Sequence, residues 1–342
     1  MTMLRALPLL CLALACAESP VVKPGGAVPP RPPAADDDLL AMVPAEADLV
    51  LWADMAKLRN SPWTRESFAK VASTSTGEEG DAFDQIRDVD RVVFAMIPTL
   101  QDGASVLVAQ GKFDSERMRK AFAHGGLSVE KSDYRGVTFF TRGQSSLAFI
   151  SQRTALSGMT VAVRAAVDCS VGLARAMDAE PWLHRLASLL GRGKTTDLPV
   201  ASIYVRLQPA TREQLMREMG EGENLEEFAA RLDLGGDLDV SALGTVRTEL
   251  QARDLASRLM ERLNDARQRP IVAVFGLAGM LESVHLLPKE NRVEGTLHVS
   301  REDRAEIAQR MTVVAETIAR LRQAQAKALP KTDAKTEEKK TP

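Results

Sequence analysis

Two acidic tripeptides, Asp88-Val89-Asp90 and Asp237-Leu238-Asp239, stand 149 residues apart in this 342-residue chain, and the elements expected around them come in the same order. In the first half, residues 48–54 read as a strand holding Trp52. The apolar run 92–97, the turn Gln101-Asp102-Gly103 and the run 105–110 then suggest a hairpin. In the second half, residues 203–207 correspond to the first strand. A strand near 244–250 feeds a helix with Leu255, Leu259 and Leu263 on one stripe. A pseudo-repeat of about 150 residues constrains the fold more than any single element does. It implies an α+β protein of two similar lobes, residues 39–195 and 196–328, each an antiparallel sheet with helices packed on it.

The remaining elements fit that layout. Helical spacing covers residues 63–72, and Asp114 caps a helix that carries Met118 and Phe122 one turn apart before Gly125-Gly126 ends it. Short strands follow near 128–131, 137–141 and 147–151, where Phe139, Phe140, Leu147 and Phe149 put apolar groups on both faces. Helices at 160–173 and 181–190 close the first lobe, and residues 191–197 read as a linker. Late in the chain, strands 284–287 and 292–299 flank a four-residue turn from Pro288 to Asn291. That register sets Leu287 opposite Arg292 and His285 opposite Glu294. Ser300 begins a last helix on which Ile307, Met311, Val314, Ile318 and Leu321 recur at helical spacing, suited to packing on the sheet or, as the alternative, to a dimer seam. Residues 329–342 are lysine-rich and polar, with the composition of a disordered tail.

Ahead of the body, Arg5, the apolar run 6–14 and the small residues of Ala13-Leu14-Ala15 have the form of an export signal, residues 1–15. An apolar stretch of about ten residues is half of what a membrane-spanning helix needs. Cys16 comes next, and the run Leu12-Ala13-Leu14-Ala15-Cys16 resembles a bacterial lipoprotein signal, departing from the usual pattern in having Ala13 where leucine is commonest. The resemblance implies cleavage before Cys16 and acylation of its thiol, at about 0.8 kcal/mol of membrane attachment per buried methylene. The plainer alternative is ordinary secretion, with Cys16 an incidental thiol. With Ala17 rather than aspartate after the cysteine, the resemblance also implies the outer membrane, with the body in the periplasm. Residues 16–38 hold Pro20, Pro24, Pro29, Pro30, Pro32 and Pro33 and almost no large apolar side chain, the composition of an extended stalk. The body itself resembles no characterised family.

The formal charge of −2 gives no electrostatic basis for binding nucleic acid. Of three cysteines only Cys169 would remain free, within an apolar run where a small buried hydrophobe is expected. His124, His184, His285 and His298 show no metal-ligand spacing. The register above would hold His285 and His298 about 13 Å apart. Gly193-Lys194-Thr195 resembles the end of a phosphate loop, but Ser188 stands where the first glycine belongs. The pairs Asp88/Asp90 and Asp237/Asp239 lack the glycine and distal glutamate of a calcium loop and read as strand-entry punctuation. Residues 270–281 are the most apolar stretch of the body and suit a buried helix with Pro270 in its first turn. As an alternative, Gly276 and Gly279, beside Val274 and Phe275, let it line a ligand groove.

These observations set the expectation of a non-catalytic cell-envelope protein that binds or scaffolds, without cofactor or metal. Its expected partners are the membrane, through lipid on Cys16, and another envelope protein. A carrier or sensor of a lipid-like ligand is the alternative, and an unrecognised hydrolase the third reading.

Overall fold

The computed structural model describes residues 38–65, 85–100, 103–123, 128–191, 199–209, 212, 225–269 and 278–303. Their strands form one twelve-stranded sheet rather than two, in the order β11-β12-β10-β9-β8-β1-β2-β3-β7-β6-β5-β4. Every pairing is antiparallel. This corrects the expectation of a separate sheet in each half. The first strand of the first half, β1 (Leu49–Asp54), pairs with the first strand of the second, β8 (Ala201–Arg206), with Val50 opposite Tyr204. Two half-sheets that would each have ended in an unpaired edge thereby join.

On the first side of this seam, β2 (Val89–Ile97) and β3 (Ala104–Gly111) continue the sheet. The chain then leaves through α3 (Ser115–Ala123) and returns by the meander β4 (Glu130–Tyr134), β5 (Val137–Arg142), β6 (Ser145–Phe149) and β7 (Thr154–Met159). The last of these pairs with β3. On the other side, β9 (Glu227–Leu234) and β10 (Leu238–Thr245) are followed by α6 (Glu249–Gln268), and α7 (Ala278–Glu282) leads into β11 (Val284–Lys289) and β12 (Arg292–Val299). There β12 pairs with β10. Two short helices, α1 (Met55–Asn60) and α2 (Gln85–Asp88), lie between β1 and β2 in sequence.

Local chemistry explains many of the boundaries. Asp54 ends β1 and its carboxylate accepts from the Lys57 amide, capping α1. Asp114 accepts from the amides of Glu116 and Arg117 at the start of α3, as its position suggests. Thr248 and Gln251 form a reciprocal capping box on α6, so the expected strand at 244–250 ends instead at Thr245. The β4–β5 turn places both Arg135 and Gly136 at positive φ, the geometry of a tight two-residue hairpin.

The β11–β12 hairpin corrects a register. Its turn has two residues, Glu290 and Asn291, and Pro288 belongs to β11 opposite Val293. An edge strand tolerates a proline that an interior strand would not. Leu287 therefore faces Glu294 and His285 faces Thr296. The slip is two residues, so each side chain keeps its face. Along the strand His285 and His298 come within two residues of one another, closer than the separation expected.

The main core lies under one face of the first half. Val50, Trp52, Val93, Ala95, Val106, Val108, Leu156 and Phe139 pack there against α4 (Thr160–Ser170), α5 (Pro181–Leu189) and the 3-10 turn Leu39–Met42. Each fully buried Phe or Leu contributes roughly 1.5–3 kcal/mol relative to exposure. A smaller core, Val246, Ala252, Leu255, Ala256 and Val293, sits under α6 on the opposite face of the second half.

Candidate functional site

Partners directly across an antiparallel ladder point to the same face, so the registers define rows that cross the whole sheet. On the face that carries the main core, one row runs through Phe139, Ala148, Leu156, Val108, Val93 and Trp52, and beyond the seam becomes Ser202, Arg231, Ser241, Thr296 and His285. Along this row the face changes from apolar to polar at the β1–β8 seam, while the neighbouring row carries the main core across it through Val50, Tyr204, Ala229 and Leu243. The other face does not change. Its matching row is Phe140, Leu147, Ser157, Leu107, Phe94, Leu51, Ile203, Ala230, Ala242, Gly295 and Leu286.

Helices stand at the two ends of this second face. At one end, Phe122 of α3 lies under the Arg142 guanidinium, 5.1 Å from its ring centre, beside the edge-on pair Phe140–Phe149. At the other end α6 packs Leu255 and Leu259 on Val293 and Leu286. Space there is made by small residues. A Cβ at Gly244 would meet Leu225 at 3.0 Å, and one at Gly295 would meet Leu286 at 3.1 Å. Between these ends Leu49, Leu51, Phe94, Met96, Ile203 and Val205 are half-buried. Six large apolar side chains on adjacent strands make this stretch the candidate site. Its signal in the sequence is the alternation of Leu49 and Leu51 with Val50 and Trp52, apolar on both faces of one strand.

Charged groups pair within the fold rather than converge. At the seam the Arg206 guanidinium donates to Asp48 Oδ1 at 2.9 to 3.0 Å and lies 5.2 Å from the Trp182 ring centre. Burial pushes the Asp48 carboxyl up from its ordinary value, and hydrogen bonds from Gln208 and Arg206 pull against it. In the first half the Tyr134 hydroxyl donates to Asp168, which also accepts from Arg135 at 3.2 Å. In the second, His298 Nδ1 and Asp239 Oδ1 are 2.7 Å apart. That hydrogen bond raises the His298 pKa, helped by the charges of Asp239, Asp237 and Asp303.

The two acidic pairs singled out in the sequence divide among different partners. Asp90 binds Arg59 at 2.9 Å, Asp88 binds Arg87 at 2.9 Å, and Asp237 accepts from the Arg301 amide at 3.0 Å. The register of β2 against β3 shifts between Val89 and Arg91, so Asp90 sits at an irregularity inside the strand. His184 Nε2 bonds the Asp178 carbonyl, and the buried Cys169 thiol donates to the Arg175 carbonyl at 3.2 Å. Among the described residues no group of three His, Cys, Asp or Glu is arranged to hold a metal ion. Also among them, no helix is long and apolar enough to cross a membrane.

Of the residues expected to carry function, Cys16, Val274, Phe275 and Gly276 lie outside the described residues, as do Gly193-Lys194-Thr195, His124 and the stripe 307–321. Gly279 is exposed on α7, and a Cβ there would meet no heavy atom within 4 Å.

No protein-family model matches this chain, and no curated protein matches it. Among solved structures it is similar to crystal form III of TP0453, at 13% identity and a TM-score of 0.49, over 79% of this chain and 96% of that one. Crystal form IV of TP0453 gives 13% identity and a TM-score of 0.45, over 78% and 95%. At these identities the likeness says nothing of ligand, partner or activity.

Proposed function

We propose that this chain is a lipid-anchored envelope protein whose body is a non-catalytic binding or scaffold module. The observation that carries the anchoring is the run Leu12-Ala13-Leu14-Ala15-Cys16, followed by the proline-rich stretch that would hold the body away from the bilayer. On this reading acylated Cys16 sits in the outer membrane and the body stands in the periplasm. What supports a binding role for the body is that, among the described residues, Arg59, Arg206, His298 and Tyr134 each pair with a carboxylate of the fold. We further propose that the two halves are a structural repeat. In each half three sequential strands are followed by a helix, and the last strand of the half pairs with the third.

The test is crosslinking in intact cells followed by affinity purification of the Cys16-anchored form. Recovery of one envelope partner, lost when the body is deleted, is the expected result. Turnover of a substrate by the purified body, abolished by one polar substitution, would overturn the reading.

A second reading, carriage of a lipid-like ligand, is favoured by the apolar stretch Leu49, Leu51, Phe94, Met96, Ile203 and Val205 between the helices of that face. Native mass spectrometry distinguishes the two. A stoichiometric bound lipid supports carriage, and an empty protein with a polypeptide partner supports the scaffold.

A further inference from the structure

The register of the last hairpin brings two histidines together on one face. His285 of β11 stands opposite Thr296 of β12, and His298 is two residues further along β12. The two imidazoles are therefore diagonal neighbours on adjacent strands, with Cα atoms about 7–8 Å apart and Cβ atoms somewhat closer. That approaches the roughly 5–6 Å between Cβ atoms of an i, i+4 pair on a helix, the spacing at which two histidines ligate one zinc ion. Both side chains are exposed, His298 to 58%, so an ion can reach them from solvent.

The surroundings of His298 fix which nitrogen it offers. Its Nδ1 lies 2.7 Å from Oδ1 of Asp239, directly across the ladder on β10. A carboxylate only accepts, so Nδ1 carries the hydrogen, and in the neutral ring Nε2 keeps its lone pair. A histidine held by a carboxylate in this way has the orientation and basicity of a metal ligand. Two more carboxylates stand at this end of β12. Asp237 accepts from the Arg301 amide at 3.0 Å, and Asp303 accepts from the Ser300 hydroxyl at 2.8 Å. Together with Asp239 they favour a cation beside His298. Arg231, on the same face, is tied to Asp233 at 2.5 Å.

We propose that His285 and His298 form a two-histidine chelate for a divalent transition-metal ion, with Asp239 orienting the His298 ring and water filling the remaining positions. Imidazole ligands select zinc, copper or nickel over magnesium or calcium. Two protein ligands make a chelate even though no set of three converges among the described residues. The ion joins β11, the last strand in the sheet order, to β12 and through Asp239 to β10.

Zinc chloride added to the full chain tests this, read from the ring-proton resonances of the histidines. The His285 and His298 signals are expected to move together with one midpoint, and magnesium chloride at the same concentration to move neither. His285→Ala should weaken the zinc response of His298, and His298→Ala that of His285, by about tenfold or more, and Asp239→Asn should weaken both by about tenfold. His184→Ala, which removes a ring bonded to the Asp178 carbonyl, should leave them unchanged. A response of one histidine alone, or one that survives loss of the other, would overturn the proposal. So would an equal response to magnesium, an affinity unchanged by Asp239→Asn, or zinc-dependent dimerisation, which would assign the ion to a bridge between copies. Should one alanine variant fail to fold, the other decides, because either loss must remove the shift of the remaining ring.

Discussion

At the scale of single residues, two ionisable groups report on the two halves. His298 donates a hydrogen bond to the Asp239 carboxylate, which raises its folded pKa above the ordinary 6.5. A raised histidine contributes stability below the unfolded value, and that contribution is lost as pH rises through the folded value. The site is open to solvent, so the effect belongs to titration rather than to large changes in melting. Proton NMR should place the His298 midpoint above that of a free histidine, and Asp239→Asn should lower it. An unchanged midpoint in the variant would contradict the geometry. Asp48 has a raised pKa through burial, although Arg206 and Gln208 oppose the shift. A raised carboxylate binds more protons folded than unfolded, so its contribution falls as pH rises from about the unfolded 3.8 through the folded value. Denaturation of the wild type and Asp48→Asn across that window should show the difference moving in favour of the asparagine, then levelling off. A constant difference would contradict the assignment.

At the scale of elements, backbone proximity sets the tolerance to change. Gly158 in β7 has φ +151°, and a Cβ there would fall 2.3 Å from the Ser105 carbonyl oxygen of β3. Gly158→Ala should cost about 1–3 kcal/mol in urea denaturation. Gly235→Ala, where a Cβ meets nothing within 4 Å, should stay within about 0.5 kcal/mol. Thr248→Ala removes the cap of α6 and should cost about 1 kcal/mol. The legibility of elements follows the same physics. Strands with alternating Val, Ile and Phe, such as β2 and β3, and helices with clear caps, such as α3, were readable from the sequence. Two strands were not, and β10 (Leu238–Thr245) was expected too late, at 244–250. The residues of β9, Glu-Phe-Ala-Ala-Arg-Leu-Asp-Leu, include several good helix formers, and only pairing on both sides with β8 and β10 holds them extended. In β7, Thr154–Met159 carries one large buried aliphatic, Leu156, and its strand state comes from β3 and β6. The hairpin register slipped because Pro288 looks like a turn residue, while its place on an edge strand lets it stay in the ladder.

At the scale of the whole molecule, the union of the halves into one sheet was beyond the reach of periodicity. Nothing in the pattern of β1 or β8 names its partner some 150 residues away, because pairing across the seam depends on complementary edges in three dimensions. The candidate site was hidden for the same reason, since Leu51, Phe94 and Ile203 become neighbours only once the strands are ordered. The ion pair from Arg206 to Asp48 and the row of apolar residues across β8, β1 and β2 make the seam the structural centre of the body. The envelope role proposed above rests on the other end of the chain, where fatty acyl groups on Cys16 would fix this sheet to a bilayer. The most direct measurement is the mass of the N-terminal peptide of the protein recovered from membranes of the cells that make it. The account predicts a peptide that begins at Cys16 and carries the added mass of a diacylglyceryl group. A peptide that begins elsewhere, or an unmodified Cys16 thiol on protein that remains membrane-bound, would contradict it.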